Sequence, residues 1–123
     1  MAFMVNHHLY ADDTQLQNHM HLESIQANCW KMEQCVAAIK DWCSSRRLQL
    51  NADKTEVIWF GSRVNIKKLS QMNTKLHLDL TVVEPVTSVR NLGVYMDGEL
   101  HMRIHIEKTL SACFYHLRRL HQL

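Results

Sequence analysis

The sequence predicts an α+β fold, and three patterns carry that expectation. Apolar residues recur at spacings of three and four across residues 22–43 and again across residues 106–120, the periodicity of amphipathic helices. Residues 75–83 alternate, with Leu76, Leu78 and Leu80 separated by His77 and Asp79, as in a half-buried strand pair. Near the N-terminus, Tyr10-Ala11-Asp12-Asp13 lies between two segments able to pair as a hairpin. Together these patterns predict helices covering one face of a small, mostly antiparallel sheet.

The hairpin comes first in the chain. Residues 4–10 can form one strand and residues 14–17 another, placing Asp12 and Asp13 at the bend. Adjacent carboxylates repel, so the pair belongs where it faces water or a cation rather than in a dry interior. Mg²⁺ is a suitable cation, because it takes hard oxygen ligands and often only one or two carboxylates beside substrate phosphates. An ordinary acidic turn is the alternative reading of the same two residues.

Residues 19–46 read as a long helix. Leu22, Ile25, Cys29, Met32, Val36, Ile39 and Cys43 keep to one stripe, and Trp30, Cys35, Ala38 and Trp42 widen it, which suits broad packing on a sheet. Pairing with another chain through the stripe is the alternative use. The helix should stop near Ser44-Ser45. Leu48 and Leu50 begin an extended piece, Asn51-Ala52-Asp53 makes a turn, and residues 55–60 are rich in β-branched and aromatic side chains before Gly61. Pro85 separates residues 75–83 from an extended run at 86–96, and Asp97-Gly98 is a turn. From Leu100 onward, Ile106, Leu110, Cys113, Leu117 and Leu120 predict a second amphipathic helix.

The 123 residues amount to one domain's worth of chain, and 46% apolar with 21% charged residues is a globular composition. Cys29, Cys35, Cys43 and Cys113 lack a close Cys-x-x-Cys spacing and read as free thiols. His101 and His105 stand four apart, but two imidazoles do not make a zinc site, and a polar helix face is the preferred reading. No run of eighteen apolar residues is present, so no membrane partner is expected, and the chain reads as intracellular, in nucleus or cytoplasm. The formal charge is only +2, yet residues 46–75 carry seven cations against Asp53 and Glu56. Such a segment can follow a phosphate backbone, with Arg63, Lys67 and Lys68 as candidate contacts. A basic solvated loop is the alternative.

Three segments resemble one family. Tyr10-Ala11-Asp12-Asp13-Thr14-Gln15-Leu16 is similar to the active-site hairpin of the reverse transcriptases of non-LTR (long interspersed) retrotransposons. Asn51-Ala52-Asp53-Lys54-Thr55-Glu56-Val57-Ile58-Trp59-Phe60-Gly61 resembles the segment that follows in that family's palm. Val89-Arg90-Asn91-Leu92-Gly93-Val94-Tyr95-Met96-Asp97 resembles the strand and turn after it. The three occur in the family's order and span almost the whole chain.

The resemblance implies a partial palm over residues 1–98 and, over 99–123, a helix leading toward a thumb. It implies RNA-directed DNA synthesis, with an RNA template and a DNA primer as partners. Two divalent ions, Mg²⁺ or Mn²⁺, would sit roughly 4 Å apart in the complete enzyme and stabilise the attacking and leaving oxygens. Asp12 would be the principal metal-binding carboxylate and Asp13 the supporting one. Tyr10 would lie near the primer end or the nucleotide, Lys54 near the triphosphate, and Leu92 and Gly93 in the primer-grip neighbourhood. The family places a further carboxylate well upstream of this hairpin, where only nine residues stand here. The expectation is therefore a reverse-transcriptase fragment that is inactive alone and binds metal at most weakly, with self-association through exposed apolar surfaces. The alternatives are a non-catalytic nucleic-acid-binding remnant and a helix-mediated interaction module.

Overall fold

A computed structural model describes residues 5–123. Met4, the first residue of the expected N-terminal strand, lies outside them. Among the described residues the fold is α+β, with three α-helices and several short two-stranded sheets. The chain divides into two compact units, residues 1–57 with 68–85 and residues 58–67 with 86–123.

In the first unit, β1 (Asn6–Tyr10) and β2 (Asp13–Gln17) pair antiparallel, with Tyr10 opposite Asp13 and His8 opposite Gln15. α1 (Ile25–Ser45) starts six residues later than the periodicity suggests, after a single 3₁₀ turn at Leu22–Ser24. An amide clamp accounts for the delay. Asn18 donates to Asn28 Oδ1 at 2.8 Å, while Asn28 donates to the Ser24 carbonyl at 2.9 Å, tying the approach segment outside the helix.

α1 ends as expected at Ser45, in a Schellman arrangement. The Leu48 amide reaches back to the Cys43 carbonyl at 2.8 Å and the Arg47 amide to that of Ser44 at 3.1 Å, with Arg47 at φ 57°. Glycine normally holds that left-handed position, because a Cβ there crowds the following carbonyl. Arg47→Gly should therefore stabilise the chain by about 1 kcal/mol. A denaturant midpoint that falls on this substitution would contradict the assignment.

α1 packs on β4 (Leu76–Leu78), which pairs antiparallel with β5 (Thr81–Val83), Leu76 lying opposite Val83. Ile25, Cys29, Leu69, Leu76 and Val83 are the buried apolar residues of this unit, and Thr74 is buried beside them in sequence. Polar contacts fix the helix to the ribbon at both ends. Gln26 donates to the Asn73 carbonyl at 2.9 Å, Glu33 accepts from the His77 amide at 2.7 Å, and Lys40 pairs with Asp79. Every member of the predicted stripe from Leu22 to Cys43 is buried or half-buried, but Trp30, Ala38 and Trp42 are exposed. A two-stranded ribbon covers a narrower arc of helix than a full sheet does.

Only Val57–Ile58 of the expected strand at 55–60 is formed, as β3, and Pro85–Val86 is β6, a two-residue strand that proline begins. The division between the units falls within these two strands. Between them in sequence, residues 63–70 form the helix α2 (Arg63–Ser70), an element that the sequence reading of this basic segment did not include.

In the second unit, β7 (Ser88–Asn91) and β8 (Val94–Asp97) form an antiparallel hairpin with Asn91 opposite Val94. The Gly61 amide donates to the Gly98 carbonyl at 2.9 Å. Asp97 Oδ1 accepts from the amides of Glu99 and His101, shaping the turn into α3 (Arg103–His121). The first turn of α3 docks on β8, where the Tyr95 amide donates to His105 Nδ1 at 3.3 Å. The helical shared face expected for His101 and His105 is absent, because Met102 at φ 57° separates His101 from the helix. No helix among the described residues is long and apolar enough to cross a membrane.

Candidate functional site

Tyr10, Asp12 and Asp13 come together at the tip of the β1–β2 hairpin. Ala11 and Asp12 form a two-residue turn, with Ala11 at φ 52°, and Asp13 opens β2 directly opposite Tyr10. A positive φ at the first turn position matches the right-handed twist of the strands, which is why so short a connection is possible. Alanine in that position is strained relative to glycine. Both carboxylates are exposed, and Tyr10 is 59% exposed, so the tip is an open platform.

The expected Mg²⁺ or Mn²⁺ site is not formed, even as a weak one. Among the described residues no group of three or more histidine, cysteine, aspartate or glutamate side chains is placed to hold a metal ion. Geometry explains the outcome. Asp12 sits in the turn and Asp13 in the strand, and among the described residues β1 and β2 pair only with each other. Two carboxylates on one isolated hairpin tip do not enclose an ion unless another chain segment brings a third ligand.

Lys54 belongs to the same unit but to a different element. Asn51 caps a single 3₁₀ turn, Ala52–Lys54, by accepting from the Asp53 amide at 3.1 Å, and the Thr55 hydroxyl donates to the Asn51 carbonyl at 3.1 Å. This pair of local bonds explains why the Asn-x-x-Lys-Thr pattern folds as it does: Asn and Thr close the turn, and Lys54 is left exposed.

Leu92 and Gly93 form the two-residue turn of the β7–β8 hairpin in the second unit. Both have positive φ, 48° and 83°, as a type I′ turn requires. Leucine is a costly choice where asparagine or glycine is normal, and Leu92 is 52% exposed, so no burial offsets the cost. Beneath the turn, the Arg90 guanidinium lies 5.5 Å from the centre of the Tyr95 ring.

Arg63, Lys67 and Lys68 are exposed along α2, with Arg63 and Lys67 one turn apart. Arg63 pairs with Glu99 at 3.3 Å, and His101 approaches the other oxygen of Glu99 at 2.6 Å. The His101 ring, then Arg63, hold the Glu99 carboxyl below the usual carboxylate range. Sequence reasoning missed this small cluster, whose only linear signal is the Glu-x-His spacing. In the first unit, Lys75 at 2.6 Å holds the Glu84 carboxyl low in the same way.

Cys29 and Cys35 are not activated as nucleophiles. Burial, reinforced by Glu33, pushes the Cys29 thiol up, and burial alone raises Cys35. Both therefore remain protonated at neutral pH, where a thiolate would be needed for attack. All four cysteines are free.

The residues singled out from the sequence thus fall on separate elements: an acidic hairpin tip and a capped lysine turn in the first unit, an apolar hairpin tip in the second, and the basic helix α2. No protein-family model, curated protein or solved structure matches this chain.

Proposed function

We propose that this chain carries the hairpin-bearing part of a reverse-transcriptase palm of the non-LTR retrotransposon type, intracellular in setting, and that by itself it contacts template and primer without extending them. The observation that carries this reading is the Tyr10-Ala11-Asp12-Asp13 hairpin. The four residues cap two short antiparallel strands and stand open to solvent, and the next long element in the chain is the helix α1. The strained, exposed leucine at the other hairpin tip adds support, since strain retained without burial is economical where a surface has a contact to make.

The inactivity of the isolated chain follows from chemistry. Phosphoryl transfer requires an attacking oxygen held in line and charge stabilised on both oxygens, and the hairpin carboxylates alone supply neither. The 123-residue chain is expected to show no template-dependent nucleotide incorporation. Incorporation that disappears with Asp12→Asn would overturn this part of the proposal.

A second reading, nucleic-acid binding as the whole of the function, is favoured by the cations along α2. The two separate experimentally. Fluorescence anisotropy with an RNA–DNA template–primer should show binding that weakens as salt rises. Lys67→Gln with Lys68→Gln should lower the logarithmic salt slope by about 2, because each phosphate contact contributes about 0.9. Preference for a template–primer junction over duplex or single strand supports the palm reading, and equal binding to all three supports the second. Affinity that ignores both salt and these substitutions would sink both readings.

A further inference from the structure

α3 is attached at one end only, and its hydrogen bond to the β7–β8 hairpin comes from one imidazole. Met102, Ile104 and His105 are half-buried against their unit, whereas residues 106–121 are exposed throughout. Asn91 and Val94 flank the two-residue turn of the hairpin as its hydrogen-bonded pair. The next pair, Arg90 with Tyr95, is then the one whose amides and carbonyls face outward. The Tyr95 amide is therefore a donor that the hairpin itself leaves over. His105 Nδ1 accepts from it at 3.3 Å, and the two rings lie 6.5 Å apart.

An imidazole accepts at Nδ1 only while that nitrogen carries no proton, so the bond requires the neutral ring with its hydrogen on Nε2. Protonation sets N–H against N–H and leaves the half-buried Tyr95 amide without its acceptor. The charged and titratable groups on the elements that meet here are Arg90 and Tyr95 on the hairpin, Asp97, Glu99 and His101 before the helix, Arg63 on α2, and Arg103, Glu107 and Lys108 on α3. Arg90 lies over the Tyr95 ring. Each carboxylate among them is already engaged: Glu99 with Arg63 and His101, Glu107 with Arg103, and Asp97 with two amides. No salt bridge of the described residues is left to compensate a charged His105. Backbone strain acts in the same direction. Leu100 and Met102 both stand at φ 57°, where a side chain is crowded, and the docked helix holds them there.

We propose that the joint between α3 and β8 is a proton-operated latch: neutral His105 holds the Tyr95 amide and keeps α3 docked, and protonation of His105 releases the helix. The sign follows from the bond. Docking selects the neutral ring, so the latch is closed on the alkaline side and opens as pH falls through the interval of about pH 8 to pH 5 in which imidazoles take up a proton. His101 responds in the opposite sense, since a proton on it strengthens its pairing with Glu99 at 2.6 Å; that contact lies before Met102 and fixes the turn, not the helix. The latch stands whether or not the palm reading above holds.

Nuclear magnetic resonance on the 123-residue chain tests this, with amide protection corrected for the intrinsic pH dependence of exchange. Two measurements need no substitution. At about pH 8, long-range proton–nitrogen correlations should show His105 carrying its hydrogen on Nε2. Between about pH 8 and about pH 5, Tyr95 protection should fall at least about tenfold and the order parameters of residues 106–121 should drop, while Val89 and Met96, opposite each other in the hairpin, keep their protection. His105→Asn, whose Oδ1 can accept in place of Nδ1 and does not titrate, should hold Tyr95 protection constant over the same range. His101→Gln should leave the transition in place. A hydrogen on Nδ1 at about pH 8, Tyr95 protection indifferent to pH, or a transition that survives His105→Asn would each overturn the latch. So would a transition lost in His101→Gln, or one shared by Val89 and Met96, which would mean unfolding of the hairpin instead of release of α3.

Discussion

Ile25→Ala should destabilise the unit formed by residues 1–57 and 68–85 by about 3 kcal/mol, the cost of deleting a buried isoleucine side chain and leaving its cavity. Ile25 is 1% exposed, the most enclosed large side chain among the described residues. The core around it is small, with Cys29, Leu69, Leu76 and Val83 as its other buried apolar members. Losing one of five such residues removes a large share of the burial that holds α1 to the β4–β5 ribbon. The polar contacts of Gln26 and Glu33 flank the same surface and depend on it for their alignment. Hydrogen exchange read by mass spectrometry should show faster exchange through α1 and β4, with the β7–β8 amides as an internal reference. Val64→Ala, at a residue 63% exposed, should change stability by no more than about 0.5 kcal/mol. Equal effects of the two substitutions would mean that Ile25 is not a core residue.

What could be read from sequence divides along a physical line. Patterns that depend on one segment were legible. The apolar stripe of α1, its stop at Ser45 and the existence of the hairpin around Asp12 each follow from local periodicity or turn chemistry, although the bend is one residue shorter than expected because Asp13 opens β2. Patterns that depend on what the segment meets were not. Trp30 and Trp42 continue the stripe on paper, but a two-stranded ribbon leaves them outside. Leu80 continues the alternation of Leu76 and Leu78, yet Asp79 at φ 54° turns the chain there and leaves Leu80 fully exposed. α2 was missed because its eight residues contain only Val64, Ile66 and Leu69 to mark a face, too few to set a helical period.

The same line runs through the candidate site. Tyr10, Asp12 and Asp13 are neighbours in sequence and remain neighbours at the hairpin tip. A metal centre is a different kind of object, since its ligands converge from several segments, and no linear pattern guarantees that convergence. The adjacent carboxylates therefore suggested an ion that the described residues do not gather to bind.

Gly98→Ala should destabilise the second unit by about 2 kcal/mol, a steric cost separable from the conformational cost of losing a glycine. A Cβ at Gly98 would lie 2.8 Å from the Trp59 carbonyl oxygen and 3.4 Å from Ile66 Cδ1. A backbone oxygen cannot rotate away as a side chain can, so one of the two segments must move. The Gly61 amide bond to the Gly98 carbonyl joins those segments at the point of contact, and displacement would lengthen it. Gly93 supplies the comparison. A Cβ there meets nothing within 4 Å, but φ is 83°, so Gly93→Ala should cost about 1 kcal/mol in backbone strain alone. Urea titrations of the two variants, with amide exchange at Gly61 as the local readout, distinguish the mechanisms. Gly98→Ala should accelerate exchange at Gly61, and Gly93→Ala should leave it nearly unchanged. If Gly98→Ala proves the milder substitution and Gly61 exchange stays slow, the turn after β8 does not lie against the Trp59 backbone, and the absence of a side chain at position 98 has no steric cause.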